Sequence, residues 1–548
     1  MTNATTTGGD APLPAPRPGL DLYDTTLRDG TQREGVTLSV DDKLRVARRM
    51  DELGVAYIEG GWPGANPKDT TFFARAAGGE LQLETATLVA FGMTRGAGRR
   101  AQEDAQIKAL VDARTDVICL VGKSWGYHVD EALGVPRDEN LAMVTDSIAY
   151  LTGIGKRVFF DAEHFFDGFA RDREYAREVV LSAAEAGAEC VVLCDTNGGA
   201  MPWDVSEVVH GLVGELSCAV GLHFHDDGGC AVANSLLGIE AGAVHVQGTA
   251  NGLGERCGNA NLFTILADLQ LKRGLRLVPQ DRVERLTEIS HHIAELCNQG
   301  TPSVAPYVGH TAFSHKAGLH ASALAKAPDM YQHIDPEEVG NHQRLVVSEL
   351  AGRSNVLLKA KELGLDITDD QARQVLTEVK RRGAEGWTYE AADASFELLL
   401  RRVSGLLAPV DEPFRSLHYR VSVAGGESGD GTGSSGPAEA ILALEVNGRR
   451  RLGAGEGNGP VDALDHAFRN AVNGTWPAVD RIHLSDYKVR ILEATAGTDA
   501  TTRVLVSSTD GVQVWDTVGV HHNVVEASWM ALSDAYTHAI LREGWAES

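Results

Sequence analysis

The sequence lacks the features that mark membrane, secreted and nucleic-acid-binding proteins. No stretch reaches the ~18 consecutive apolar residues of a membrane-spanning helix, and no basic segment followed by an apolar one opens the chain. We therefore expect no membrane span and no signal peptide, and a cytoplasmic protein. Basic residues are also few, since 50 Lys and Arg stand against 76 Asp and Glu, a formal net charge of −26. This charge argues against nucleic acid or an anionic membrane as partner.

Cysteine is sparse, with seven in 548 residues and no pair at a zinc-binding spacing. Several of these cysteines lie in apolar runs, which predicts reduced thiols buried in the core. The remaining composition, 43% hydrophobic and 23% charged, is that of an ordinary globular chain long enough for two to four domains. Residues 1–18 contain four prolines and predict a disordered tail.

Between residues 19 and 274, strand-like apolar runs alternate with amphipathic, helix-like stretches. Eight β-α units in about 260 residues are the number and length of a (β/α)8 TIM barrel. The competing α/β fold, an open doubly wound sheet, is disfavoured because no Gly-x-Gly-x-x-Gly turn follows the first run. The eight predicted strands are 20–26, 56–60, 83–91, 117–121, 157–162, 190–195, 220–225 and 244–248.

Polar side chains recur where these predicted strands end, which is where TIM barrels carry their catalytic groups. His223 and His225 are two residues apart in the seventh strand, so both point to the same side about 7 Å apart and can bind one cation. Asp29, after the first strand, can supply an anionic third ligand, and Arg28 a fixed cation beside it. An isolated His-x-His pair is more often structural, but its place at a strand end favours a metal site.

The pattern changes after the barrel. Residues 275–410 are mainly helical and predict a helical linker, whereas 411–541 predict a separate α+β domain. The glycine-rich run 425–436 predicts a floppy hairpin loop; a phosphate cradle is the less favoured alternative because no helix follows it directly.

Three motifs resemble a known family: Asp24-Thr-Thr-Leu-Arg-Asp-Gly30, Gly221-Leu-His-Phe-His-Asp226 and Asn251-Gly-Leu-Gly-Glu-Arg-Cys-Gly-Asn259. They are similar to the metal-dependent TIM barrels that include 2-isopropylmalate synthase, homocitrate synthase, citramalate synthase and hydroxymethylglutaryl-CoA lyase. The segments most similar to the longer type of citramalate synthase are 58–69, 160–168, 313–320 and 348–355. The C-terminal domain resembles the leucine-sensing domain of isopropylmalate synthase.

The resemblance implies a divalent metal, Mg or Mn before Zn, and acetyl-CoA as cosubstrate. It also assigns roles to individual residues. Asp29, His223 and His225 are the implied metal ligands with Asn259 as a further one; Arg28 stabilises developing negative charge; Glu163 and Thr196 surround a 2-oxo acid; His320 and Tyr331 act as acid/base groups. Simpler readings remain for three of them: Thr196 as a helix cap, His320 as a helix-face contact and Tyr331 as a packed aromatic.

The implied reaction is the condensation of acetyl-CoA with pyruvate and water to citramalate and CoA, on the way to isoleucine. The alternatives are isopropylmalate synthesis from a branched oxo acid, a hydroxyacyl-CoA lyase, and a non-enzymic amino-acid-binding protein. A lyase leaves residues 290–541 unexplained, and a binding protein leaves Asp29 and His223 without a purpose. The C-terminal domain implies isoleucine as inhibitor and a homodimer, with turns at 453–459 and 497–500 beside the effector.

Overall fold

The computed structural model describes residues 19–300, 303–315, 327, 330–345, 352–423, 437–492 and 500–546. The predicted tail 1–18, the loop 425–436 and His320 lie outside the described residues. Two compact units form the chain. The first extends to Phe313 and also includes Ile334–His342, and the second comprises Ser314–His333 and the chain from Gln343 onward.

Eight parallel strands in the first unit close into a barrel in chain order, which confirms the predicted TIM barrel. Closure is made by pairing between β8 and β1, with His245 opposite Asp21. The strands are β1 Asp21–Asp24, β2 Tyr57–Glu59, β3 Thr87–Met93, β4 Val117–Lys123, β5 Arg157–Glu163, β6 Cys190–Asp195, β7 Ala219–Phe224 and β8 His245–Gly248.

Local signals define the helices around the barrel. Ser39 and Asp42 form a capping box at the start of α1, and Gly54, at φ 99°, ends that helix in the left-handed region. The helices of this unit are α1 Val40–Leu53, α2 Pro67–Arg75, α3 Ala105–Asp112, α4 Gly126–His128, α5 Arg137–Gly153, α6 Phe165–Arg171, α7 Arg173–Glu185, α8 Pro202–Val213, α9 Ala231–Glu240, α10 Leu262–Ala267, α11 Gln280–Val283 and α12 Leu286–Leu296.

The inside of the barrel is a packed core. Part of this core, here called the aromatic lower core, contains Tyr23, Tyr57, Phe159 and His245. The ring centroids of Tyr57 and Phe159 are 5.0 Å apart, and the ring of His245 is 5.2 Å from that of Phe159. Cys119 and Cys190 lie in the same cluster as buried free thiols, as predicted. Cys257 is exposed, so the prediction is wrong for this residue, which lies in a loop beyond β8.

The second unit contains helices and two three-stranded antiparallel sheets, β11-β12-β13 and β14-β15-β16. The predicted α+β domain is thereby confirmed. Its elements are β9 Ser314–His315, β10 Arg344–Leu345, α13 Arg353–Glu362, α14 Asp369–Ala384, α15 Asp393–Val403, β11 Phe414–Val423, β12 Ala438–Val446, β13 Arg449–Gly457, α16 Pro460–Val472, α17 Pro477–Arg481, β14 His483–Ile491, β15 Thr502–Thr509, β16 Val514–His521 and α18 Val524–Ala546.

The predicted turn at 453–459 is wrong over most of its length, because β13 pairs with β12 as far as Gly457. Gly453, Gly455 and Gly457 lie on one face of that strand, and a Cβ on any of them would collide with the backbone of α16. The glycines therefore permit close packing of a helix on a strand, which a local sequence pattern cannot distinguish from a turn. Of the other predicted turn, 497–499 lie outside the described residues.

Among the helices in the described part of the chain, none combines the length and apolar character that crossing a membrane requires.

Candidate metal centre and active site

Three predicted metal ligands meet at the carboxyl end of the barrel. Asp29 follows β1, His223 lies in β7, and His225 comes directly after β7. Asp29 Oδ2 is 3.2 Å from His223 Nε2 and 3.5 Å from His225 Nε2. All three side chains are buried, and one ligand atom from each lies within 4.8 Å of the other two. The structure thus brings together two strand ends that are distant in the sequence.

The electrostatics of this cluster suit a cation. Burial alone would raise the pKa of Asp29, but the positive charge of Arg28 and the interactions with His223 and His225 hold this pKa below its usual range. Burial, together with the charge of His223, lowers the pKa of His225 to about 4. At neutral pH the cluster therefore offers a carboxylate and a neutral imidazole, the ligand forms that divalent metals bind.

Asn259, the further predicted ligand, lies beside His225. It forms an isolated antiparallel bridge with His225, which fixes its backbone beside the histidine. Its Oδ1 atom is buried and has no hydrogen-bond partner among the described residues. A buried amide oxygen without a partner is costly, and a bound cation would satisfy it. The residues present therefore fit a divalent metal with mixed oxygen and nitrogen ligands.

Arg28 is fixed by a fully buried carboxylate, Glu59, at the end of β2. Glu59 accepts hydrogen bonds from Tyr23 OH at 2.6 Å, Thr25 Oγ1 at 2.5 Å and Arg28 Nε at 2.6 Å. The guanidinium carbon of Arg28 also lies 3.9 Å from the centroid of the Phe91 ring. With Nε bound and the flat group stacked, the two terminal nitrogens have one orientation.

The cluster of Asp29, His223 and His225 opens into a cavity of about 290 Å³ that is lined by both charged and apolar side chains. Among the charged residues, Lys123 and Glu163 form an ion pair. Thr196 Oγ1 accepts a hydrogen bond from the backbone N–H of His164 at 2.9 Å, so it does not cap a helix, and α8 begins only at Pro202. The lining residues are Arg28, Asp29, Gln32, Trp62, Phe91, Met93, Val121, Lys123, Asp161, Glu163, Cys194, Thr196, His223, His225 and Glu255.

The two predicted acid/base residues are not among the described residues of the first unit. Tyr331 belongs to the second unit and is 41% exposed, and His320 lies outside the described residues. Arg256 makes a bidentate ion pair with Asp227 and donates to the Thr196 carbonyl, while Glu255 lines the cavity. Arg256 therefore supports the loop that carries Thr196.

Sequence reasoning missed two buried polar residues under the metal cluster, Asp161 in β5 and Gln247 in β8. Burial, with the charge of Glu59 adding to it, raises the pKa of Asp161 to about 6. A signal was present, because each is a polar residue inside an otherwise apolar strand, where polar groups need a specific partner. It also missed the role of Glu59 at the end of β2.

Comparisons with known proteins agree with this geometry. The HMGL-like family matches residues 19–293, the homocitrate synthase post-HMGL domain-like family matches 307–386, and the LeuA allosteric (dimerisation) domain matches 390–540. The (R)-citramalate synthase of Streptomyces coelicolor is 52% identical over 96% of this chain and 97% of its own length. The (R)-citramalate synthase of Aquifex aeolicus is 45% identical over 95% of this chain and 98% of its own length. A probable 2-isopropylmalate synthase of Methanopyrus kandleri is 33% identical over 89% of this chain and 92% of its own length.

The fold and the site define an HMGL-like TIM-barrel enzyme joined to a LeuA-type allosteric domain. Within that class, the chain belongs to the (R)-citramalate synthase family, whose curated members match it over nearly its full length at 40–52% identity.

The buried pair of Glu59 and Arg28 generates a stability prediction. Glu59→Gln leaves the Arg28 charge without its buried partner, and we expect a loss of about 3 kcal/mol in the free energy of unfolding. Glu52→Gln is the matched control, because Glu52 is 40% exposed in its ion pair with Arg49, and it should cost under about 1 kcal/mol. Urea unfolding of both variants checks this. Equal losses would contradict the central position given to Glu59.

Proposed function

We propose that this protein is an acyltransferase that condenses acetyl-CoA with pyruvate and water to give (R)-citramalate and CoA. The observation that carries the proposal is the conjunction of a buried Asp29, His223 and His225 cluster, a fixed Arg28 and a small cavity between them. The near full-length identity to citramalate synthases supports the choice of reaction.

Asp29, His223 and His225, with Asn259, would hold a divalent cation, of which Mg or Mn are preferred over Zn. When bound, the cation supplies Lewis-acid polarisation of the keto group of a 2-oxo acid. Arg28 has its terminal nitrogens at the same end of the cavity, with Nη1 3.5 Å from Asp29 Oδ2. It is placed to stabilise the negative charge that develops when the acetyl methyl group loses a proton and attacks.

The other polar residues of the cavity orient the oxo acid. Because Thr196 Oγ1 accepts the His164 N–H, its own hydroxyl hydrogen is available for a ligand in the cavity. Glu163, paired with Lys123, faces the same space. We assign acid/base roles to His320 and Tyr331 on the family resemblance.

The apolar wall favours a small oxo acid. Trp62 packs edge-on against Phe91, with centroids 5.5 Å apart, and its Nε1 donates to Gln106 at 2.8 Å, so the large indole is fixed. Met93 and Val121 complete this wall. A methyl group fits such a wall more readily than a branched chain. Trp125, which follows β4, packs instead on His128.

The substrate prediction is that pyruvate gives a higher kcat/KM than 2-oxobutyrate, 2-oxoisovalerate or 2-oxoglutarate. Each extra methylene that the wall rejects is worth about 1–3 kcal/mol, or roughly 10- to 200-fold. The rate of CoA release with each acid at subsaturating concentration measures it. A preference for 2-oxoisovalerate would assign the chain to isopropylmalate synthesis instead.

The metal prediction concerns the ligands. His223→Ala should lower citramalate formation by at least about 100-fold, because a lost ligand removes both affinity and geometry. His210→Ala is the control, an exposed histidine on α8 outside the barrel mouth, and it should retain parental activity. Chelation of the parent enzyme should abolish turnover and added Mn²⁺ restore it. Full turnover in chelator would exclude the metal.

The C-terminal domain offers a second cavity, of about 480 Å³, for an amino-acid effector. Its wall includes Ile482, Leu484 and Leu532, and the carboxylate of Asp462 lies at its edge. Gly459 precedes α16, whose N-terminus presents free backbone N–H groups and a positive dipole end. This lining fits a branched-chain amino acid. Its side chain would lie on the apolar wall, its carboxylate at the helix N-terminus and its ammonium near Asp462. We propose isoleucine.

The match to the LeuA allosteric (dimerisation) domain supports a homodimer formed through the C-terminal domain. Exposed apolar residues occur on both of its sheets, among them Ile441, Leu452, Val489 and Ile491. Apolar surface of this kind is typical of an interface between subunits.

The effector prediction uses two exposed leucines of the same domain. Leu484→Glu puts a charge into the apolar wall and should raise the isoleucine concentration for half-inhibition at least about tenfold, since one desolvated contact of about 1.4 kcal/mol is lost. Leu406→Glu, between α15 and β11 and outside this cavity, should leave inhibition unchanged. Inhibition curves for both variants, with leucine and valine in parallel, check this. Unchanged inhibition in Leu484→Glu would place the effector elsewhere.

A further inference from the structure

One hydrogen-bond chain crosses the barrel interior below the metal cluster and has no part in the chemistry above. Gln247, a fully buried residue of β8, donates from Nε2 to Asp161 Oδ1 on β5 at 3.0 Å. Its Oε1 is 2.8 Å from His223 Nδ1. These two hydrogen bonds therefore connect a buried carboxylate to a proposed metal ligand through a single amide.

The chemistry of the three groups fixes the direction of every bond. An ionised carboxylate only accepts hydrogen bonds, so Asp161 holds the NH₂ side of the Gln247 amide. The amide oxygen must then face His223, and Nδ1 of that ring must be the donor. The other ring nitrogen, Nε2, faces Asp29 Oδ2 at 3.2 Å, inside the metal cluster.

We propose that Gln247 and Asp161 are positioning residues that hold His223 in its Nδ1–H form, with Nε2 directed at the metal. If the amide were free to turn, its NH₂ could donate to Nδ1, and the proton would move to Nε2. That form of the ring cannot bind a cation through the nitrogen that faces Asp29.

The residues around Asp161 argue against a purely space-filling role for this carboxylate, because its charge is electrostatically unfavourable there. Asp161 lies beside Glu59 and Cys119, and one polar atom of each of the three comes within 4.8 Å of the other two. Two buried carboxylates this close repel each other, and an apolar residue at 161 would remove that repulsion. The carboxylate at 161 instead orients the Gln247 amide. His245, two residues earlier on the same face of β8, has a buried Nε2 without a hydrogen-bond partner among the described residues, and its ring packs against those of Tyr57 and Phe159.

The test measures metal binding instead of turnover, because the inference rests on the metal site proposed above. Mn²⁺ is titrated calorimetrically into the full-length protein and its variants at about pH 8, where Asp161 is ionised. Gln247→Met and Gln247→Leu keep the volume but remove the acceptor, and each should raise the Kd for Mn²⁺ about 10- to 100-fold. The Kd for Mn²⁺ of either variant that folds is sufficient to test the positioning role.

Two further variants separate positioning from packing. Gln247→Glu restores an acceptor for His223 Nδ1, and because it would share one proton with Asp161 the net charge is unchanged; its Kd should stay within about threefold of the parent. His245→Met is the matched control on the same face of β8 and should also stay within about threefold. Thermal melting of every variant accompanies the titrations.

The outcomes are distinct. If Gln247→Met or Gln247→Leu binds Mn²⁺ with the affinity of the parent, the positioning role is wrong while the metal site stands. The same conclusion follows if Gln247→Glu or His245→Met loses as much Mn²⁺ affinity as Gln247→Met and Gln247→Leu. A parent protein that binds no Mn²⁺ removes the metal site, and the positioning role with it.

Discussion

The buried ion pair of Glu59 and Arg28 is the interaction on which the arrangement at the barrel mouth depends. A carboxylate without exposed surface needs several donors, and Glu59 has three, from Tyr23, Thr25 and Arg28. Because these bonds fix Arg28, its positive charge has a permanent place beside Asp29 and keeps that carboxylate ionised despite its burial. The anionic ligand of the metal cluster thus exists before any cation arrives.

The barrel adds rigidity to this electrostatic arrangement. The proposed ligands and orienting groups in the described site lie in a strand or shortly after one, except Asn259, which lies in the loop beyond β8; the aromatic lower core holds the strands in register. Side chains on such elements keep their positions more closely than those on loops. The cavity, of about 290 Å³, is lined by charged groups and by the apolar wall of Trp62 and Phe91. Substrate size and orientation are therefore set by the same rigid parts as the metal site.

The sequence was sufficient where topology decides the outcome. In a parallel barrel all strands end at one edge, so Asp29 and His223 could be brought together from their strand ends alone. The roles of Asp161 and Gln247 could not be predicted from the sequence. They depend on which strands face each other across the barrel interior and on the direction of a hydrogen bond. Residues 453–459 have the glycine pattern of a turn, and the purpose of these glycines in β13 is visible only with α16 packed against them.

The central claim is that the oxo acid and the divalent cation bind together at the Asp29 and His223 cluster. Calorimetric titration of pyruvate into the protein, with and without saturating Mn²⁺, tests it most directly. We predict that Mn²⁺ lowers the Kd of pyruvate by at least about tenfold and that pyruvate lowers the Kd of Mn²⁺ by the same factor, because binding linkage is reciprocal. A pyruvate affinity that is indifferent to Mn²⁺ would contradict the account.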